Sequence, residues 1–125
     1  MFLVLLSGCT IPEKLEITNN TDQLVVVKFK ENSFRIAPKE SAIVGEGLFM
    51  EFTIKLGKRR YSYSINPVST FYISTEGWGP FIKRIFRVRV EADGRLWAII
   101  PEKGGLPEAV QPAQPEGFPL EPKEV

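Results

Sequence analysis

From Lys14 to Ile100 the apolar positions mostly recur every second residue, the period of a strand. In the clearest run, 48–56, Leu48, Met50, Phe52, Ile54 and Leu56 alternate with Glu51, Thr53 and Lys55. Such alternation buries one face and wets the other. In the run 81–90, Ile82, Phe86, Val88 and Val90 share the core face, and Lys83, Arg87 and Arg89 share a face expected to meet solvent. Further strands are expected over 15–18, 23–29, 33–36, 41–44, 60–65, 70–74 and 95–100, rich in Val, Ile, Phe, Tyr and Thr.

Turn chemistry separates these runs. Asn19-Asn20-Thr21-Asp22 and Ala37-Pro38-Lys39-Glu40 are turn clusters, and Gly57-Lys58-Arg59 reads as a short hairpin loop. Asp93-Gly94 is the strongest hairpin signal, expected as a type I′ turn. No segment carries a helical stripe. The fold class is therefore all-β, a small antiparallel β-sandwich over residues 14–100. An immunoglobulin-like sandwich is preferred, because Leu15 to Thr21 followed by Leu24 to Val27 resembles the first hairpin of many such domains. A transthyretin-like or barrel topology has the same alternation.

After Pro101 the composition changes. Residues 101–125 hold six of the ten prolines: Pro101, Pro107, Pro112, Pro115, Pro119 and Pro122. Proline cannot donate to a sheet ladder, so this stretch is expected to be a solvated, disordered Pro-rich tail. It is also acidic, with Lys103 and Lys123 against Glu102, Glu108, Glu116, Glu121 and Glu124. The overall charge of +1 thus hides a basic body, and it gives no sign of a nucleic-acid partner.

The chain has no histidine and one cysteine, Cys9. Imidazole-based triads, Cys–His pairs and clustered zinc ligands are thereby excluded, and no metal or other cofactor is expected. The only aspartates, Asp22 and Asp93, sit in turns, and nothing in the spacing of the glutamates suggests a paired-carboxylate site. An enzyme is not expected.

Leu6-Ser7-Gly8-Cys9 follows an apolar lead from Phe2. This resembles the lipobox of bacterial lipoproteins, in which an aliphatic and two small residues precede the cysteine. The resemblance implies a lipid on Cys9, cleavage before it, and a place in the cell envelope on the periplasmic face of a membrane. Residues 1–8 then form a partial signal peptide and 9–13 a lipidated N-terminus and short linker. A signal peptide also has a basic n-region, and no Lys or Arg precedes Cys9; Met1 is therefore read as lying inside the apolar segment. Thr10, where aspartate favours inner-membrane retention, implies the outer membrane in a Gram-negative cell. The competing reading, a cytoplasmic protein with an apolar first strand, leaves the lone cysteine and its small neighbours as coincidence.

Two surfaces invite a ligand. Lys58, Arg59 and Arg60 cluster at one turn and Lys83, Arg87 and Arg89 line one strand, a pattern suited to phosphates or an anionic polymer. An ordinary solvated face with cations guarding against edge pairing accounts for the same residues. Trp78, between Gly77 and Gly79, is placed on a loop where it can contact a sugar or a membrane interface, or fold back over the core. Tyr61, Tyr63 and Tyr72 are explained by cross-strand packing. The expected function is a non-enzymatic interaction or accessory module for another envelope protein. The alternative is a binder of an anionic envelope ligand, lipopolysaccharide or cell-wall polymer, through a basic strand face.

Overall fold

The computed structural model describes residues 13–46, 50–65, 74–76, 83–99, 114 and 117–125. Ten strands run in chain order: β1 Glu13–Asn19, β2 Val25–Phe29, β3 Asn32–Ile36, β4 Ser41–Glu46, β5 Met50–Leu56, β6 Arg59–Ile65, β7 Ser74–Glu76, β8 Lys83–Val90, β9 Leu96–Ala98 and β10 Lys123–Glu124. No helix occurs among the described residues. One sheet, A, has the order β4-β1-β8-β7, with β9 also pairing β8; the other, B, has the order β10-β6-β5-β2-β3. The inner faces share one core, so the fold is a small β-sandwich.

Period-two alternation decides what enters that core. In β5 Met50, Phe52, Ile54 and Leu56 are buried, while Glu51 and Lys55 are exposed. From β8, Phe86, Val88 and Val90 enter the same cluster, joined by Leu15 and Ile17 of β1. Phe52 and Tyr63, register partners on β5 and β6, stack with centroids 5.5 Å apart.

Three expectations need correction. The first is β1–β2, which is not a hairpin: β1 lies in sheet A and β2 in sheet B. The Asn19 cluster is a corner between sheets. Buried Asn19 donates to Gln23 O (2.7 Å) and Ile36 O (2.9 Å) and accepts from Thr21 N (2.9 Å) and Thr21 Oγ1 (2.7 Å). These bonds satisfy backbone groups that a ladder would otherwise have to pair. Freed from pairing with β2, β1 runs parallel to β8, so the sandwich is not purely antiparallel.

The second is the turn between β8 and β9. Gly94 N donates to Glu91 O (2.9 Å), and Gly94 alone takes positive φ, +87°. The loop is Ala92-Asp93-Gly94, a β-turn followed by a left-handed glycine, rather than a two-residue I′ turn. By contrast, Gly57-Lys58 does form a two-residue loop, with Leu56 paired to Arg59 and Gly57 at φ +66°. Ala37-Pro38-Lys39-Glu40 closes by Glu40 N to Ala37 O at 3.0 Å.

The third is the end of the expected Pro-rich tail, of which 101–113, 115 and 116 lie outside the described residues. Residues 117–125 are not a solvated coil but a strap joining the two sheets. Phe118 packs edge-on against Phe86, centroids 5.6 Å apart, and Leu120 bridges Leu96 of β9 in both hydrogen-bond directions. The chain then crosses to sheet B, where β10 pairs Lys123 with Ser62 and Glu124 with Tyr61. Pro122 lies over Gly94, where a Cβ would meet it at 3.0 Å. Despite the prolines around them, Phe118 and Leu120 supply apolar surface enough to dock a short segment.

Candidate functional site

The two outer faces of the sandwich treat their charges differently. On sheet A, cations meet acids. Lys14 pairs with Glu46 (2.8 Å) across β1–β4, and Arg87 with its register partner Glu16 (2.8 Å) across β1–β8. Arg89 pairs with Glu91, whose carboxylate also accepts from Asn20 Nδ2. The expectation that Arg87 and Arg89 face solvent fails for Arg89 and holds only in part for Arg87, whose side chain is 26% exposed. Arg89 is 8% exposed and Ile85, on the same side of the strand, 3%. The cause is topology: β8 lies inside its sheet, with β1 on one side and β7 and β9 on the other. Arg87 and Arg89 are paired with Glu16 and Glu91. Lys83 opens this strand.

The turn cluster divides. Lys58 is the exposed tip of the hairpin. Arg59 donates to Tyr61 Oη at 3.4 Å, a contact that raises its pKa further. Arg60 points outward from sheet B, beside its register partner Lys55.

That outer face of sheet B carries the charge pattern sequence reasoning missed. Register aligns Arg35, Val26, Lys55 and Arg60 as one rung across β3, β2, β5 and β6. The next rung is Ser33, Lys28, Thr53, Ser62 and Lys123, spanning all five strands. With strands about 4.8 Å apart, the second rung is roughly 19 Å long. Arg35, Lys55, Arg60, Lys28 and Lys123 are all exposed. Among the described residues none of the five has an ion-pair partner. Lys55 and Arg60 stand directly opposite each other, an arrangement that disfavours the strand pair. The signal was present in sequence as isolated lysines and arginines on five different strands. Only the register assembles them.

A groove of about 690 Å³ lies over this face, lined by Lys28, Lys30, Glu51, Thr53, Ser62, Ser64 and Lys123, with Leu120 and Glu121 of the strap at its rim. Phe52 and Tyr63 also line it, so its lining combines apolar surface with charges of both signs. Among the described residues no three His, Cys, Asp or Glu side chains gather as metal ligands would, and no helix is long and apolar enough to cross a membrane. Cys9 and Trp78 lie outside the described residues. No protein-family model, curated protein or solved structure matches the chain.

Proposed function

We propose that this chain is a lipid-anchored, non-enzymatic module of the cell envelope that works by binding, with the outer face of sheet B meeting an anionic partner. The observation that carries this reading is the pair of cationic rungs, Arg35–Lys55–Arg60 and Lys28–Lys123, left without ion-pair partners among the described residues, while Lys14, Arg87 and Arg89 of sheet A are paired with acids. An unpaired row of like charges works against a sheet's own stability, so it is best understood as serving a partner. The Leu6-Ser7-Gly8-Cys9 lipobox supports the anchor on Cys9, and with it a place at the envelope membrane, where lipopolysaccharide and cell-wall polymers are anionic. The proposed architecture is immunoglobulin-like, supported by the interleaving of early and late strands in sheet A, β4-β1-β8.

Binding of the chain to immobilised inorganic polyphosphate tests the face. Affinity should fall steeply as salt rises, because exposed charges are screened over about 10 Å at 0.1 M salt. Absent or salt-insensitive binding would overturn the reading. Mass spectrometry of the cell-expressed protein tests the anchor: a lipidated Cys9 at the mature N-terminus is expected, and an unmodified Cys9 still preceded by Gly8 would remove it.

A further inference from the structure

The groove differs from a plain cationic patch in what lies between its lysines. Lys28 and Lys123 stand three strands apart in one rung, about 14 Å, and the two positions between them are hydroxyls, Thr53 and Ser62. The next rung pairs Glu51 with Ser64. Glu121 at the rim is committed to Arg95 at 3.1 Å, but Glu51 has no ion pair or side-chain hydrogen bond among the described residues, and neither have Thr53, Ser62 or Ser64. The internal units of a polyphosphate chain offer acceptors only, so such a chain gains from the lysines and loses against Glu51. A ligand suited to these lysines, to Glu51 and to the hydroxyls offers acids to Lys28 and Lys123, hydroxyl donors to Glu51, and groups of either kind to the three protein hydroxyls.

From this juxtaposition we infer that the groove binds an anionic saccharide chain, a polyhydroxylated polymer bearing carboxylates or phosphates at intervals. The inference rests on the proposed role of sheet B as the binding face and narrows its ligand. Glu51 reads the hydroxyls, Lys28 and Lys123 read the acids, and half-buried Leu120 offers an apolar edge for sugar C–H groups. The strap, by supplying Leu120 and Lys123, completes one wall.

Titration calorimetry of the whole chain with oligogalacturonate and with inorganic polyphosphate, before and after Glu51→Ala, tests this. Removing Glu51 takes away an acceptor for sugar hydroxyls and a repulsion for phosphate. Oligogalacturonate affinity should fall about tenfold, in line with a charged hydrogen bond, while polyphosphate affinity should rise. If Glu51→Ala strengthens both ligands, or the unaltered chain binds polyphosphate and not oligogalacturonate, the saccharide inference is overturned and the cationic face stands. If the unaltered chain does not bind polyphosphate, the proposed function itself falls. Circular dichroism of the variant confirms that the sheet is intact.

Discussion

Tyr63 couples the two sheets through a single hydroxyl. Its ring is buried against Phe52 while its Oη donates to Gly94 O, 2.5 Å away, in the turn that joins β8 to β9. Burial pushes its phenol above the ordinary value of 10.0, with Tyr61 and Asp93 adding to the shift. The sign of the pH effect follows. In the unfolded chain the phenol ionises near pH 10, whereas the folded form holds it neutral to higher pH. Its contribution is full below about pH 10 and is lost as pH rises toward the folded value. Tyr63→Phe should cost about 1–2 kcal/mol at neutral pH through the lost hydrogen bond, and should flatten the decline of stability above pH 10. Urea denaturation of both proteins at pH 7 and across the alkaline range measures the two effects together. An unchanged alkaline slope would mean that Tyr63 is not the group responsible.

At the scale of elements, β8 shows which part of a strand is legible and which is not. Alternation alone placed Phe86, Val88 and Val90 in the core, because a strand's two faces are set locally. The environment of the opposite face depends on which strands lie alongside. Glu16, 71 residues from Arg87 in sequence, arrives beside it only because β1 runs parallel to β8. In β2, β3, β5, β6 and β10 the same limit worked in reverse: single cations looked scattered until register put them in rungs. The Asn19 corner was legible as a turn but not as a change of sheet, since its key acceptor, Ile36 O, is 17 residues away. This topology also changes what a charge reversal in β8 should do. Arg89→Glu would set a buried carboxylate against Glu91 and should destabilise by at least about 3 kcal/mol, the scale of breaking a buried pair. That is comparable to the 3–5 kcal/mol expected for Phe86→Ala. Denaturant midpoints compare them directly, and a cost near zero for Arg89→Glu would mean that Arg89 is solvated.

For the whole molecule, the strap and the two unequal faces are the features that make the sandwich more than a core. Chain removal after Glu116 should strip Phe118 from Phe86, Leu120 from Leu96 and β10 from β6. The two half-buried apolar side chains and the short ladder are then lost, so the shortened chain should be less stable. The Tm should fall by several degrees, measurable by calorimetry. An unchanged Tm would return the segment to the status of a solvated tail. The asymmetry between faces is the central claim, and paired charge reversals test it most directly. Lys14→Glu on sheet A and Lys55→Glu on sheet B change the net charge equally, but Lys14 is already paired with Glu46 and Lys55 faces Arg60. Measured against immobilised polyphosphate at low salt, Lys55→Glu should lose at least about tenfold in affinity while Lys14→Glu loses little. Because it turns a like-charge pair into an opposite one, Lys55→Glu should also leave the Tm unchanged or higher. Equal losses of affinity from the two reversals would show that only net charge matters, and would contradict a binding face on sheet B.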